Sequence, residues 1–241
     1  MSIESHLPEA STAAALFTDR RDAGRRLAAR LMPFRNEAPA VLALPRGGVP
    51  VGYEIARALV APLDVIVVRK LGAPGQPELG IGAVVDGDSP LGVLNQEMMR
   101  ALGVSQDYLD HEVAAQLAEI RRRQSVYRGG RTRVPIAGRT AIVVDDGLAT
   151  GSTMRAALRS IRRADPARLV LAVPVAPADT LSELSKEVDE TICLATPEPF
   201  GAVGFFYRDF GQTRDDEVIH LLDAARRALD PHAREDARAD E

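Results

Sequence analysis

Cysteine, tryptophan and lysine are nearly missing from this chain, and each shortage removes a class of function. Cys193 is the sole cysteine in 241 residues and there is no tryptophan. One cysteine excludes an internal disulfide and a Cys-rich metal site, and its apolar setting, TICLA, reads as strand. His6, His111, His220 and His232 fall in unrelated segments, so no His/Cys/carboxylate cluster has zinc spacing. Lysine occurs only at 70 and 186, arginine carrying the rest of the positive charge, which draws attention to Lys70. No apolar run approaches a membrane-spanning helix, and MSIESHLPEA is neither basic nor apolar enough for a signal peptide. A cytoplasmic protein is the expectation. The net charge of −4 gives no global attraction to nucleic acid or to an anionic membrane. Arg20, Arg21, Arg25, Arg26 and Arg121 to Arg123 form local clusters of the kind that usually make solvated faces.

What is present is the composition of an ordinary globular α/β protein. Hydrophobic residues make up 46% and charged residues 27%, enough apolar surface for one substantial domain and not for two. Leu16, Phe17, Ala23, Leu27 and Leu31 recur at helical spacing, with Thr18 and Asp19 as alternative caps. Ala40–Leu44 reads as a buried strand, Val49–Leu59 as a helix and Asp64–Val68 as the next strand. Leu71–Gly80, with two prolines and three glycines, reads as a loop, and 81–85 with 91–94 as a hairpin. Ser105 caps a helix running to about Gly129. After a strand at 141–144 and its helix, strands are expected at 169–173 and 190–194, helices at 179–186 and 216–229, and a loop over 198–211. The alternation predicts a mostly parallel central sheet flanked by helices, Rossmann-like.

The most informative segment is AIVVDDGLATGST, residues 141–153. An apolar strand delivers Asp145 and Asp146 to its carboxyl end, where open α/β sheets place their ligands. Gly147, Leu148, Ala149, Thr150, Gly151, Ser152 and Thr153 then lead into a helix, offering hydroxyls, close backbone approach and unpaired helical N–H groups. That is a phosphate cradle beside two carboxylates. A ribose 5-phosphate satisfies both halves, since carboxylates accept from vicinal hydroxyls while the loop takes the phosphate. A capped strand–turn–helix explains the helix start but not four consecutive small or hydroxyl residues beside paired acids. No Gly-Lys-Ser/Thr follows, which excludes a P-loop, and no histidine adjoins Ser152 or Thr153, which excludes a serine hydrolase.

The segment resembles the 13-residue signature with which type I phosphoribosyltransferases bind 5-phosphoribosyl 1-diphosphate (PRPP). Ala149 departs from it, the family often carrying Thr there. The resemblance spans about residues 40–175 and implies transfer of ribose 5-phosphate from PRPP to a nitrogenous base, purine favoured, with Mg²⁺ bound at Asp145 or Asp146 directly or through water. LPRGGVPVG, residues 44–52, resembles the pyrophosphate loop, in which a strained or cis peptide follows the strand. Arg46, Gly47 and Gly48 would hold pyrophosphate there, joined by Arg69 and Lys70, expected at the end of the second strand. APGQPELG resembles the mobile lid of these enzymes, with Glu78 a candidate participant.

The catalytic set implied is Asp145, Asp146, Arg46 and Lys70, acting on an oxocarbenium-like transition state. The family places a base-contacting residue near Leu148 or Ala149, neither of which can take up a proton. The base is expected under a small hood made by about 10–35 and 196–212, against Leu148, Phe205, Phe206 or Tyr207, the aromatics being equally candidates for core. One domain over 1–229, with a core at 40–195 and a disordered charged tail at 230–241, completes the expectation. A homodimer is expected for this fold class. The other readings are a noncatalytic PRPP- or nucleotide-binding regulator of the same fold and a phosphohydrolase in which water replaces the base.

Overall fold

Alternate side chains of two short strands supply the two faces of the core. The computed structural model describes residues 15–85 and 91–230. In β1 (Ala40–Ala43) and β6 (Thr140–Val144) every residue is buried. Val41, Ala43, Ile142 and Val144 face one cluster and Ala40, Leu42, Ala141 and Val143 the other, the two-residue period of a strand covered on both sides. The parallel sheet is completed by β2 (Leu63–Val65), β7 (Arg168–Val175) and β8 (Glu190–Ala195), in the order β2-β1-β6-β7-β8. Strand order runs outward in opposite directions from the β1/β6 pair. Their carboxyl ends are therefore the topological switch point, where a crevice opens.

Helices cover both faces. On one lie α1 (Arg20–Leu31), α2 (Gly48–Leu59), α4 (Gln106–Arg128) and α7 (Asp215–Arg227), with Leu27, Leu31, Val51, Ile55 and Val218 buried. On the other, α5 (Ser152–Arg162) buries Met154, Ala157, Leu158 and Ile161, and α6 (Ala178–Ser185) buries Leu184. Asp19, one of two cap candidates, accepts from the Asp22 N–H and starts α1; Ser105 accepts from the Tyr108 N–H and starts α4, which ends at the left-handed Gly129.

A second sheet corrects the expected loop at 71–80. β3 (Val68–Ala73) and β4 (Gln76–Val85) form an antiparallel hairpin turning at Gly75 (φ 68°), and β5 (Leu91–Leu94) adds to β4 as expected. The strand expected over 64–68 stops at Val65, and the chain re-enters extended structure in this other sheet. Prolines and glycines here mark a tight turn and irregular register at Leu71–Ala73 rather than absence of a strand. The hairpin rests on α4, whose Tyr108 hydroxyl donates to the Gly72 carbonyl at 3.0 Å.

Some further short elements have no clear periodic signal: α3 (Gln96–Ala101) and 3₁₀ turns at Met32–Asn36 and Val203–Phe206. Phe17 pairs with Tyr207 in an isolated parallel bridge, and Phe17, Ala23, Val175, Phe206 and Tyr207 form a small separate core. The tail expected at 230–241 lies outside the described residues beyond Asp230, as do residues 10–14 of the expected hood.

Candidate active site

Two loops meet at the switch point with no space for a side chain between them. After β1, the Pro45–Arg46 peptide is cis and the Gly48 N–H donates to the Leu44 carbonyl at 3.0 Å. A Cβ on Gly47 would fall 2.0 Å from Asp146 Oδ2, and one on Gly48 would fall 2.8 Å from the Val144 carbonyl oxygen. Glycine is therefore required at both positions by contact with the strand-end acids, in addition to any exposure of N–H groups to an anion.

Asp145 and Asp146 are embedded differently. Asp145 Oδ1 accepts from the Asp146 N–H at 2.8 Å, and burial first, then the neighbouring Asp146 charge, raises the Asp145 carboxyl well above the usual carboxylate range. Burial also raises Asp146, against the opposing pull of Arg20, whose Nε donates to Asp146 Oδ2 at 2.7 Å. Arg20 also donates to the Gly211 carbonyl at 2.7 Å, and its guanidinium lies 3.9 Å from the Phe210 ring centroid. Phe210 stacks on Tyr207 at 5.0 Å, and the Tyr207 hydroxyl donates to the Asp146 carbonyl at 2.5 Å. Asp146 is thus fixed by residues more than a hundred positions before it and about sixty after it in sequence.

The loop that follows is open to ligand. Gly151 has φ 69°, and a Cβ there would also meet Thr180 Cγ2 at 2.8 Å. The first intrahelical bond of α5 runs from the Arg155 N–H to the Gly151 carbonyl, leaving the N–H groups of Ser152, Thr153 and Met154 directed out of the helix start. Thr150 Oγ1 and Ser152 Oγ lie 3.3 Å apart. Ala149, Thr150, Ser152 and Thr153 are exposed, and a cavity of about 620 Å³ places Thr150, Ser152 and Thr153 together with Lys70, Asn95 and Arg155. Hydroxyls, helical N–H groups and the Lys70 and Arg155 cations share one groove, a set of donors suited to an oxyanion.

The remaining expected site residues divide between the groove, contacts with neighbouring helices and the core. Arg69 and Lys70 are adjacent in β3 and so point to opposite faces: Arg69 Nε donates to Gln116 Oε1 on α4 at 2.9 Å, while Lys70 Nζ bonds the Glu78 carbonyl across the hairpin. Of the two, Lys70 faces the groove. Arg46 leans toward Asp215 at the start of α7, Nη1 to Oδ1 at 3.8 Å, and Asp215 also accepts from the Tyr127 hydroxyl at 2.7 Å. Burial and that carboxylate push Tyr127 up to about 12. Leu148, expected against the base, is 3% exposed and packs into the core cluster under the loop. Phe206 and Tyr207 are buried as well, and Phe205 is 72% exposed on the surface. Sequence patterns place Arg20 in a solvated cluster, mark Phe210 only as the end of the expected aromatic hood segment, and do not mark Asp215 or Tyr127 as site residues. Their partners are remote in the chain, and no local pattern reports them.

The crevice, the acid pair and the Gly/Ser/Thr helix start lie together at the carboxyl edge of an open α/β sheet. The phosphoribosyl transferase domain family matches residues 19–207, and the chain belongs to that family. It is 48% identical over 225 residues to Rv0571c and to MT0597 of Mycobacterium tuberculosis, both provisionally named phosphoribosyl transferases, covering 93% of this chain and 50% of each of them. The chain therefore spans about half the length of these curated relatives. Among solved structures, TT1426 from Thermus thermophilus is similar at TM-score 0.74 and 45% identity, over 86% of this chain and 97% of that one. No described helix is long and apolar enough to cross a membrane.

Proposed function

We propose that the chain transfers ribose 5-phosphate from PRPP to a nitrogenous base with release of pyrophosphate. The observation that carries this reading is the contact of the 44–48 loop with Asp145 and Asp146 at the switch point, beside the hydroxyl-rich start of α5. In it, the N–H groups of Ser152 and Thr153 and the hydroxyls of Thr150, Ser152 and Thr153 bind the 5-phosphate, and Gly147, Ala149 and Gly151 shape the backbone around it. Asp145 and Asp146 accept from the ribose hydroxyls. Arg46, the Gly47 amide and Lys70 stabilise charge that develops on pyrophosphate as the C1–O bond breaks, whereas the Gly48 N–H, expected to join them, is taken by the Leu44 carbonyl. Arg69, held by Gln116, supports the strand that carries Lys70. The 16–20 and 206–211 segments act as the hood by bracing Asp146.

The donor set suits Mg²⁺. Hydrogen bonds engage Asp145 Oδ1 and Asp146 Oδ2, while the second oxygen of each carboxylate accepts none among the described residues. Mg²⁺ takes one or two carboxylates and fills its octahedron with water and substrate phosphate oxygens, so a three-residue protein cluster is unnecessary. Bound with PRPP it would neutralise charge on the diphosphate.

Calorimetric titration of PRPP with Mg²⁺ tests the reading. Wild type is expected to bind, and Asp145→Asn with Asp146→Asn to lose about 100-fold or more in affinity. Pyrophosphate release with a panel of bases then identifies turnover. Absence of PRPP binding to the wild type overturns the proposal.

A further inference from the structure

β3 is an edge strand of the second sheet, and the backbone groups that an edge leaves unpaired are met here by one face of α4. Tyr108, Glu112 and Gln116 stand four residues apart along that helix, so their side chains share a face. The Tyr108 hydroxyl donates to the Gly72 carbonyl at 3.0 Å, and Glu112 Oε1 accepts from the Gly72 N–H at 3.3 Å. Gln116 donates to that same Glu112 oxygen at 3.1 Å while accepting from Arg69 Nε at 2.9 Å. Both backbone groups of Gly72 and the side chain of Arg69 are therefore tied to α4. Lys70 lies between them.

The register of β3 on β4 shifts on either side of Gly72, so pairing within the hairpin is least regular where the bonds to α4 are made. Because neighbours in a strand face opposite ways, holding Arg69 toward α4 turns Lys70 toward the groove. Its stem crosses β4, a Cβ on Gly80 falling 2.7 Å from Lys70 Cε. The same helix supports the other cation assigned to pyrophosphate. Near its end the Tyr127 hydroxyl donates to Asp215 Oδ1 at 2.7 Å, the oxygen that lies 3.8 Å from Arg46 Nη1. Lys70 and Arg46 thus both take support from α4.

We propose that Glu112 and Gln116 are positioning residues for Lys70 and set the affinity for departing pyrophosphate without touching it. The proposal rests on the transferase reading above. Both side chains are half-buried. Leucine at 112 leaves the Gly72 N–H and the Gln116 amide without their acceptor, and β3 is then free to shift. An ammonium is a point charge on a flexible stem, so its value to an anion depends on where the strand holds it. Glu112→Gln removes the charge but keeps an oxygen for both donors, which separates positioning from electrostatics.

The experiment uses the full chain and its two lysines. With ¹³C-labelled lysine, NMR resolves the Lys70 and Lys186 side chains, and Lys186, paired with Glu183 at the end of α6, is the internal reference. Glu112→Leu is expected to shift the Lys70 signal and leave Lys186 in place. Calorimetry should show Mg-pyrophosphate affinity reduced about tenfold, with ribose 5-phosphate affinity within about twofold of wild type because its donors come from the start of α5. Glu112→Gln should restore both readouts. Gln116→Leu, which frees Arg69 alone, should act in the same direction and serves if Glu112→Leu fails to fold. In a wild type that binds pyrophosphate, the inference is overturned by leucine variants with an unmoved Lys70 signal or an unchanged pyrophosphate affinity, or by ribose 5-phosphate affinity falling in step. A displaced Lys70 signal in a chain whose wild type binds neither ligand overturns the transferase reading and leaves the anchoring of Lys70 standing.

Discussion

Gly47 and Asp146 occupy the same few ångströms from opposite sides of the switch point, a Cβ at Gly47 falling 2.0 Å from Asp146 Oδ2. Gly47→Ala must displace either the carboxylate or the 44–48 loop. The expected outcome is a loss of PRPP affinity of about 100-fold with thermal stability reduced by only a few degrees. Calorimetry and thermal unfolding of one preparation check it, and an alanine variant that binds PRPP normally would refute the contact.

Arg20→Ala leaves Asp146 partly buried without its cation, and removing one member of such a pair costs about 3 kcal/mol. Both a lower melting temperature and weaker PRPP binding are expected. Arg20→Lys keeps the charge but not the planar stack on Phe210 nor the bond to the Gly211 carbonyl, and it should recover less than half of the loss. Full recovery by lysine would show that charge alone matters.

Tyr127 predicts an alkaline limit. Its folded value of about 12 stands above the ordinary 10, so the neutral phenol is favoured by folding. The associated stability is complete below pH 10 and is lost as pH rises toward 12, amounting to about 2 to 3 kcal/mol. Denaturant unfolding at a series of pH values measures this slope. Tyr127→Phe should flatten it and, by freeing Asp215, alter the ion pair with Arg46, which an unchanged pyrophosphate affinity would contradict.

Leu148→Ala should behave as a core mutation, costing about 3 kcal/mol of stability. The order of preference among acceptors should not change, because the side chain lies in the core cluster. A changed preference would return Leu148 to the base-binding role first expected from its place in the signature.

The parallel sheet is legible in the sequence because its strands are short, apolar and bounded by turn residues. The 141–153 segment carries the site for the same reason, all of its chemistry being contiguous. The hairpin is hidden because Pro74, Gly75 and Pro77 dominate a window in which the strand residues are few; the glycines that permit irregular register also suggest a loop. Assigning Leu148 to the base follows from proximity in sequence, whereas the turn after Asp146 directs it inward. Phe206 and Tyr207 show the same limit. Aromatic residues in a Gly-rich run are equally compatible with a ligand and with a small core, and only the pairing with Phe17 decides between them.

The bridge between Phe17 and Tyr207 also has a consequence for biosynthesis. The signature loop is complete once the ribosome has passed residue 153, yet Tyr207 and Phe210, which support Asp146 and its arginine, are made more than fifty residues later. A nascent chain stalled before residue 207 would hold every residue of the motif and lack the clamp that sets one of its two acids, so ligand affinity should arrive late in translation and abruptly.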